Sequence, residues 1–180
     1  MTAGTAVQGV IEPFDPAKHD RTGFSCGVEQ VDNFFKITAN KLARADNIRL
    51  FAMTAVDGAL IGFYALNAHT VEYADLPARY AKRRAGHGQI PAAYISMIGV
   101  DARYPGQGYG GDLLVDALRR TARAAETIGI AVVLLDVLDC GRPELVARRL
   151  KLYRGYGFEP LPSQPLRLFL PMATVRQLTI

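Results

Sequence analysis

Four glycines stand close together between a predicted strand and a predicted helix. They are Gly106, Gly108, Gly110 and Gly111, and they follow the apolar segment 93–100. The first amides of a helix have no partner within it, and the helix dipole adds partial positive charge at that end. Glycines also let the backbone approach a bound pyrophosphate closely. The spacing therefore predicts an anion-binding turn.

Two better-known phosphate motifs do not fit this turn. No Gly-Lys-Ser/Thr follows it, so it is not a P-loop, and its glycines have the wrong spacing for the G-x-G-x-x-G dinucleotide fingerprint. Asp136, at the end of the next predicted strand, also lies too far along the chain for that fingerprint. A glycine-rich connection that binds nothing stays open as the alternative.

A tyrosine near the C-terminus is a second residue suited to chemistry. Tyr153 lies in the segment LYRGYGF at positions 152–158, at the end of a predicted amphipathic helix. A phenol is a neutral proton donor at working pH and can protonate a thiolate as it forms. Packing in the core, with the hydroxyl at the surface, is the alternative, and it is the interpretation we favour for Tyr156.

The order of the predicted elements gives the fold class. Helix, antiparallel hairpin, strand, glycine turn, helix, strand, helix and strand follow one another, which predicts an α/β domain with a mixed sheet. Residues 1–10 are expected to form a flexible N-terminus, and residues 11–180 a single domain. The predicted elements are a helix capped by Ser25 and running to Leu42, strands at 49–54, 59–66, 93–100, 130–137 and 166–172, helices at 113–125 and 144–156, and a short basic helix with a mobile loop at 76–89.

Composition and charge narrow the function classes. Hydrophobic residues make up 49% of the chain, which argues against disorder. The net charge of +4 permits contact with a polyanion without establishing it. Cys26 and Cys140 are far apart and the histidines are scattered, so no metal site is predicted. No apolar run is long enough to span a bilayer and no secretory signal opens the sequence, so we expect a cytoplasmic protein.

The glycine turn and the tyrosine segment together resemble the GNAT superfamily of acetyl-CoA-dependent N-acetyltransferases. Gly108 and Gly110 fill the glycine positions of its Gln/Arg-x-x-Gly-x-Gly/Ala motif, and Pro105 stands where Gln or Arg is usual. The segment 152–158 is similar to the late Phe-Tyr-x-x-x-Gly-Phe segment of the superfamily. The resemblance extends over residues 14–178.

This resemblance implies a fold, a co-substrate and a set of site residues. The implied GNAT-like fold is an α/β (mixed α+β) arrangement, with a central, mostly antiparallel sheet that contains a splayed strand pair and is flanked by helices. Acetyl-CoA would place its pyrophosphate on the turn amides and its pantetheine arm along the strand edge, and Tyr153 would protonate the leaving thiolate. The implied cofactor-binding residues are Ile98, Gly99, Val100, Gly106, Gln107, Gly108, Tyr109, Gly110 and Gly111.

The residues do not identify the general base. The strand 93–100 contains no carboxylate, although many relatives carry one there, and Asp136 or Asp139 could act through water instead. The α-amine of an aminoacyl ester is acidic enough to need little help. A backbone amide near Ile98 or Val100 is expected to steady the oxyanion.

Three further segments are similar to one branch of the superfamily. These segments, 24–35, 61–66 and 166–170, resemble the acetyltransferase toxins of bacterial toxin–antitoxin pairs, which acetylate the α-amine of amino acids carried on tRNA. The resemblance implies charged tRNA as substrate, a small antitoxin of the ribbon–helix–helix type as partner, and a homodimer, as is common in the family. Met97 stands where these toxins commonly carry an arginine.

Clusters of basic residues fit an RNA substrate, because phosphate contacts require positive charge. One cluster lies on the helix of Tyr153, and two more lie at 79–84 and 119–123. The alternative interpretation is that each cluster is a solvated helix face, with Glu144 pairing to Arg148 on the helix of Tyr153. Two other functions stay open: a housekeeping acetyltransferase of a small amine or a protein amine, and a non-catalytic CoA-binding regulatory module. The candidate substrate contacts on the helix of Tyr153 are Arg148, Arg149, Lys151 and Arg154.

A pair of substitutions tests how the turn binds its ligand. Gly108→Val should abolish acetyl-CoA binding, because a side chain blocks the close approach of the pyrophosphate to the backbone. Pro105→Gln should leave the Kd nearly intact, since amides rather than a leading side chain hold the phosphates. Calorimetric titration measures both. A loss of affinity by about tenfold or more in Pro105→Gln would contradict this interpretation.

Overall fold

The computed structural model describes residues 9–82 and 88–180. A π-helical turn, Phe34–Thr38, joins the first two helices. The strands are β1 Val10–Pro13, β2 Arg49–Thr54, β3 Leu60–Glu72, β4 Gln89–Val100, β5 Val132–Asp136, β6 Glu159–Leu161 and β7 Gln164–Pro171. The helices are α1 Glu29–Asn33, α2 Ala39–Arg44, α3 Ala78–Ala81, α4 Tyr109–Ala124, α5 Pro143–Gly155 and α6 Met172–Leu178.

The strands form one seven-stranded sheet in the order β1-β2-β3-β4-β5-β7-β6. The β1–β2, β5–β7 and β6–β7 pairs are antiparallel and the β4–β5 pair is parallel, so the predicted mixed, mostly antiparallel sheet with flanking helices is confirmed. No helix in the described part of the chain combines the length and the apolar character that crossing a bilayer requires.

The predicted N-terminal helix is wrong in its start and in its continuity. The helix begins at Glu29 rather than after Ser25, and its N-cap residue, Val28, makes no side-chain capping bond. Ser25 instead donates its hydroxyl to Asp32 over 2.7 Å. The π-helical turn then interrupts the segment because Arg21 donates to the carbonyl of Phe35 over 2.6 Å, a long-range bond that periodicity cannot reveal.

Other differences between the predicted and the observed secondary structure involve short elements. Strands β1 and β6 and helix α6 were not predicted, because they have four, three and seven residues and are too short for a clear hydrophobic period. In the basic segment 76–89 the structure has α3, whereas residues 83–87, with Arg83 and Arg84, lie outside the described residues. Of the N-terminus predicted to be flexible, residues 1–8 also lie outside them, and Val10 begins β1.

The chain divides into two compact units, and the first comprises Met1–Ala65 and Met97–Asp116. An aromatic cluster forms its core. The ring of Phe35 stacks on that of Phe63 with 3.9 Å between centroids, and Phe24 meets both rings edge-on. These contacts fix the helical N-terminal segment against β3.

In the same unit, one close approach positions the start of α4. A Cβ atom on Gly62 of β3 would lie 2.7 Å from the carbonyl oxygen of Gly99 and 2.8 Å from Cδ1 of Leu113 in α4. Tyr64, two residues further along β3, donates its hydroxyl to Asp116 of α4 over 2.6 Å. The absence of a side chain at Gly62 and the hydrogen bond from Tyr64 to Asp116 therefore set the distance between β3 and α4.

The second unit comprises Leu66–Ser96 and Ala117–Ile180. Its parallel ladder joins β4 and β5 over four residue pairs, from Ala92–Val132 to Ile95–Leu135. Apolar side chains of β4, β5, β6 and β7 form the core on one face of this ladder. The fully buried members of this cluster include Ile90, Ala92, Val132, Leu134, Leu161 and Phe169.

Adding a single methyl group at Gly62 tests the close approach. Gly62→Ala should lower the free energy of unfolding by about 2 kcal/mol, because the new Cβ meets a backbone oxygen that cannot move aside. Gly23→Ala is the matched control, since no atom lies within 4 Å of its added Cβ. Urea unfolding measures both variants, and equal midpoints would contradict the proposed packing.

Candidate active site

The glycine turn has a backbone conformation that favours glycine. Gly106 and Gly108 have φ angles of +68° and +82°, in the left-handed region that other residues rarely adopt. No atom lies within 4 Å of a Cβ built on either residue, so conformation rather than crowding requires glycine here. Helix α4 begins directly afterwards, at Tyr109.

The turn presents unpaired amides next to the helix start. The carbonyl oxygen of Gly108 accepts from the amides of Gly111 and Asp112, at 2.9 and 3.2 Å. Within the described residues, the amides of Gly106, Gln107, Gly108 and Gly110 donate to no backbone oxygen. Together with the helix dipole, these groups suit a phosphate or pyrophosphate.

Tyr109, also predicted to bind the cofactor, has a side chain that faces the protein. It is buried, with 5% of its surface exposed, and its ring meets Tyr104 edge-on. Gln107, by contrast, is exposed. A role for Tyr109 in cofactor binding would therefore run through its backbone, whereas Gln107 offers both backbone and side chain.

A buried carboxylate anchors the turn where β4 ends. Asp101 accepts two hydrogen bonds from the guanidinium of Arg103, at 2.9 and 3.1 Å, and further bonds from the amides of Arg103 and Ser25. Burial alone would raise the pKa of Asp101, but these hydrogen bonds outweigh it and hold the pKa below the ordinary 3.8. The turn thus starts from a fixed, charged anchor.

The predicted cofactor strand extends beyond its parallel ladder. The pairing with β5 ends at Ile95, while β4 continues to Val100 and β5 ends at Asp136. Ile98 and Val100 are partly exposed. The β4–β5 ladder thus ends before the residues expected to bind the cofactor, as a splayed strand pair requires, so backbone groups of β4 would be available to a ligand there.

Gly99 in this strand is required for packing. A Cβ atom there would lie 3.0 Å from Cγ1 of Val31 and 3.3 Å from Cε1 of Phe63. The small residue of the motif therefore fits the aromatic cluster, and a role toward the cofactor would again involve its backbone.

Asp136, one of the two candidate bases, is fully engaged. Arg167 donates to both of its carboxylate oxygens, at 2.7 and 2.8 Å, and Tyr94 donates its hydroxyl over 2.6 Å. Burial would raise the pKa of Asp136, yet Arg167 and Tyr94 outweigh burial and lower it. A carboxylate held this way is a poor proton acceptor. Asp139 is exposed and accepts from the amide of Gly141.

Tyr153 has the environment of a neutral proton donor. Only 5% of its surface is exposed, its ring meets Phe158 edge-on at 6.2 Å, and its hydroxyl forms no hydrogen bond with another described residue. Burial raises its pKa to about 12, partly offset by Arg149. The group therefore keeps its proton at neutral pH and can donate it to a sulfur on which negative charge develops.

The basic residues of α5 differ in their surroundings. Arg148, Lys151 and Arg154 are exposed and make no ion pair among the described residues. Glu144, expected to pair with Arg148, pairs with Arg142 at 3.1 Å. Arg149 is partly buried and donates to Sγ of Cys140 over 3.9 Å.

Sequence reasoning missed the residues that hold these groups in place. Asp101 and Arg103 lie two residues apart at the end of the motif strand, and an acid–arginine pair at a strand end was a local signal. Tyr94 and Arg167 gave no such signal, because they lie 42 and 31 residues from Asp136 in the chain.

Comparison with known proteins identified curated relatives that match nearly the whole chain, among them the following two. A probable toxin TacT of Sinorhizobium fredii is 63% identical over 174 residues, which cover 96% of each chain. A tRNA-acetylating toxin of Mycobacterium tuberculosis is 35% identical over 164 residues, covering 88% of this chain and 90% of the relative. No family model matches the chain.

Solved structures of KacT and of the toxin AtaT have the same fold. A variant of KacT superposes with a TM-score of 0.83 at 26% identity, covering 95% of this chain and 99% of that one. AtaT in complex with acetyl-methionyl-tRNAfMet superposes with a TM-score of 0.82 at 22% identity, over 96% and 100% of the chains. AtaTR bound with acetyl-CoA gives 0.78 at 22% identity, over 96% and 98%.

The anchor at Asp101 makes a prediction about stability and its pH dependence. Asp101→Asn should lower the free energy of unfolding by about 2 kcal/mol at pH 7, since Arg103 loses its buried ionic partner. Folding lowers the pKa of Asp101, so its ionised form stabilises the native state above the ordinary pKa, and this contribution is lost as the pH falls through the lower folded value. The difference between the wild-type and variant free energies should narrow below about pH 4.

Denaturant unfolding between acid and neutral pH measures this difference. Glu126→Gln, at an exposed position after α4, is the control that removes a carboxylate without a partner. A difference between wild type and Asp101→Asn that stays constant down to about pH 2 would contradict the assignment.

Proposed function

The chain belongs to the family of tRNA-acetylating toxins, and from this we propose that it transfers the acetyl group of acetyl-CoA to the α-amine of an amino acid carried on tRNA. Two relatives that match nearly the whole chain support the proposal. The observation that carries it is that the chain contains both a pyrophosphate-type glycine turn, with positive φ at Gly106 and Gly108, and a buried tyrosine suited to donate a proton. The enzyme is thus an acetyl-CoA-dependent N-acetyltransferase.

The donor half of the reaction uses backbone groups of the first unit. We assign the pyrophosphate of acetyl-CoA to the amides of residues 106–108 and Gly110, where the helix dipole of α4 adds positive potential. The amides of the pantetheine arm would bond the strand edge at 98–100, as an added strand would. A backbone amide near Ile98 or Val100 would stabilise the oxyanion.

The proposed reaction uses a neutral amine as nucleophile and a neutral phenol as proton donor. The lone pair of the neutral amine attacks the thioester carbonyl carbon, a C–N bond forms, and the C–S bond breaks. The phenol of Tyr153 gives its proton to the departing thiolate, and the new amide nitrogen loses one proton, which restores the phenol directly or through water. The products are the acetylated amine and free CoA.

The acceptor would supply its amine without a dedicated carboxylate base. Asp136, the acid at the end of β5, is held by Arg167 and Tyr94 with a lowered pKa. An α-amine has an ordinary pKa of about 7.7–8.0, so a sizeable neutral fraction exists at physiological pH. This favours an aminoacyl ester over a lysine side chain, whose amine has a pKa of about 10.4.

The RNA part of the substrate would bind the exposed basic face of α5. Arg148, Lys151 and Arg154 recur every three residues, are exposed, and have no ion-pair partner within the described residues. Unpaired cations are available to phosphates, and such contacts weaken as salt rises. Of the other basic clusters, Arg79 at 79–84 is already paired with Glu159.

The partners follow from the family and from this chemistry. AtaT has been solved with the C-terminus of its antitoxin AtaR, and we propose that this chain also pairs with a small antitoxin, of the ribbon–helix–helix type. We also propose a cytoplasmic location, because charged tRNA would be the substrate. A homodimer and one domain over residues 11–180 stay predictions from the sequence.

Tyr153→Phe is the test of the proposed chemistry. The variant should lose about 10²–10⁴-fold in kcat for acetylation of charged tRNA, because the leaving thiolate loses its proton donor. The matched control is Tyr156→Phe, which removes a phenol from the partly exposed position at the end of the same helix and should leave kcat unchanged. Transfer of radiolabelled acetyl to aminoacyl-tRNA measures both.

Induced expression gives a second measurement. Wild-type enzyme should arrest bacterial growth, and Tyr153→Phe should relieve the arrest. Purified enzyme that acetylates polyamines, free amino acids or peptides but never charged tRNA would overturn the proposed substrate. Equal rates for wild type and Tyr153→Phe would overturn the proposed proton donor.

A further inference from the structure

Proton transfer from Tyr153 would leave a negative charge in a buried position. The residue has 5% of its surface exposed, and within the described residues its hydroxyl has no hydrogen-bond donor that could stabilise a phenolate. Burying an uncompensated charge costs free energy that would add to the barrier of the reaction. A nearby cation would offset that cost.

Arg149 is the cation that the structure places beside this tyrosine. It precedes Tyr153 by four residues on α5, so the two side chains lie on the same helix face. Arg149 is the one charged group in the described part of the chain found to act on Tyr153, and it favours the ionised phenol. The other basic residues of the helix near Tyr153, namely Arg148, Lys151 and Arg154, are exposed, and no carboxylate among the described residues opposes the effect.

The guanidinium of Arg149 is also held in place from outside the helix. It donates to Sγ of Cys140, which lies in the loop between β5 and α5, over 3.9 Å. That loop is itself fixed by Gly141, which has a φ of +72° and donates its amide to Asp139 over 3.1 Å. A sulfur contact is weak, but it restricts a long side chain that is already partly buried.

We propose that Arg149 is a positioning residue that stabilises the phenolate of Tyr153 while the acetyl group is transferred. As the C–S bond breaks, the electron pair goes to sulfur, the proton of Tyr153 moves to that sulfur, and the phenolate formed lies on the same helix face as the guanidinium. The amine that has attacked the carbonyl then returns a proton, and Tyr153 is neutral again. This role rests on the proposed function, and it removes Arg149 from the set of RNA contacts.

The two roles for an arginine on α5 predict different kinetics. An arginine that binds phosphates changes the KM for charged tRNA and its salt dependence. An arginine that acts only when Tyr153 has lost its proton changes kcat and leaves both KM values alone. Arg149 and Arg148, adjacent in sequence but different in burial, allow the comparison within one helix.

Steady-state acetylation of charged tRNA separates these roles. Arg149→Met should lower kcat about tenfold, with both KM values within about twofold of wild type. Arg149→Lys should restore most of kcat, since it returns the charge. Arg148→Met should instead raise the KM for charged tRNA and flatten its salt dependence. Arg142→Met, at the exposed start of α5, controls for the loss of a charge.

A double-mutant cycle links the effect to Tyr153. In a Tyr153→Phe background no phenolate forms, so Arg149→Met should cause no further loss of kcat. An equal loss in both backgrounds, or a higher KM for charged tRNA with unchanged kcat, would overturn the role proposed for Arg149. Full activity of Tyr153→Phe alone would instead overturn the proposed proton donor, so the two failures are distinguishable.

The sulfur contact supplies a second variant that keeps the arginine. Cys140→Val removes the acceptor and should lower kcat about two- to threefold, and Cys140→Ser should retain kcat because a hydroxyl can accept the same bond. If Arg149→Met does not fold, these two variants decide the question. Equal kcat values for Cys140→Val, Cys140→Ser and wild type would then count against the proposal.

Discussion

The backbone groups of β4 need hydrogen-bond partners, and its parallel neighbour β5 supplies them over only four residue pairs. The ladder to β5 runs from Ala92–Val132 to Ile95–Leu135, and β4 then continues to Val100. Backbone amides and carbonyls need partners wherever water is excluded, and a ligand with its own amides can take the place of a missing strand. The glycine turn begins a few residues later, so the two stretches of available backbone follow each other directly in the chain.

Two carboxylates at strand ends fix the geometry and, for the same reason, are unsuited to proton transfer. Asp101 ends β4 and binds Arg103, whereas Asp136 ends β5 and binds Arg167. In each case arginine and other donors lower the pKa despite burial. Such carboxylates take up protons only in acid. In the proposed reaction, proton transfer at neutral pH is therefore assigned to the phenol of Tyr153 and to the acceptor amine.

Tyr153 is suited to this role by burial, and burial also creates its difficulty. A phenol with a pKa of about 12 keeps its proton in the resting enzyme, yet the phenolate it becomes is costly in an apolar setting. A cation one helical turn away reduces that cost without forming a permanent ion pair. The helix of Tyr153 therefore carries two kinds of basic residue. The exposed ones are proposed to contact RNA, and the partly buried Arg149 is proposed to stabilise the phenolate of Tyr153.

Local patterns in the sequence determined the turn, the tyrosine and the order of the main elements. Gly106 and Gly108 were recognised because glycines between a strand and a helix let the backbone approach a phosphate, and the helices and strands because their apolar residues recur with a period. The tertiary structure decided what these patterns cannot express. Arg21 interrupts a helix by bonding Phe35, and Arg167 engages Asp136 across 31 residues of chain, because the energy of both contacts depends on partners that only folding brings together.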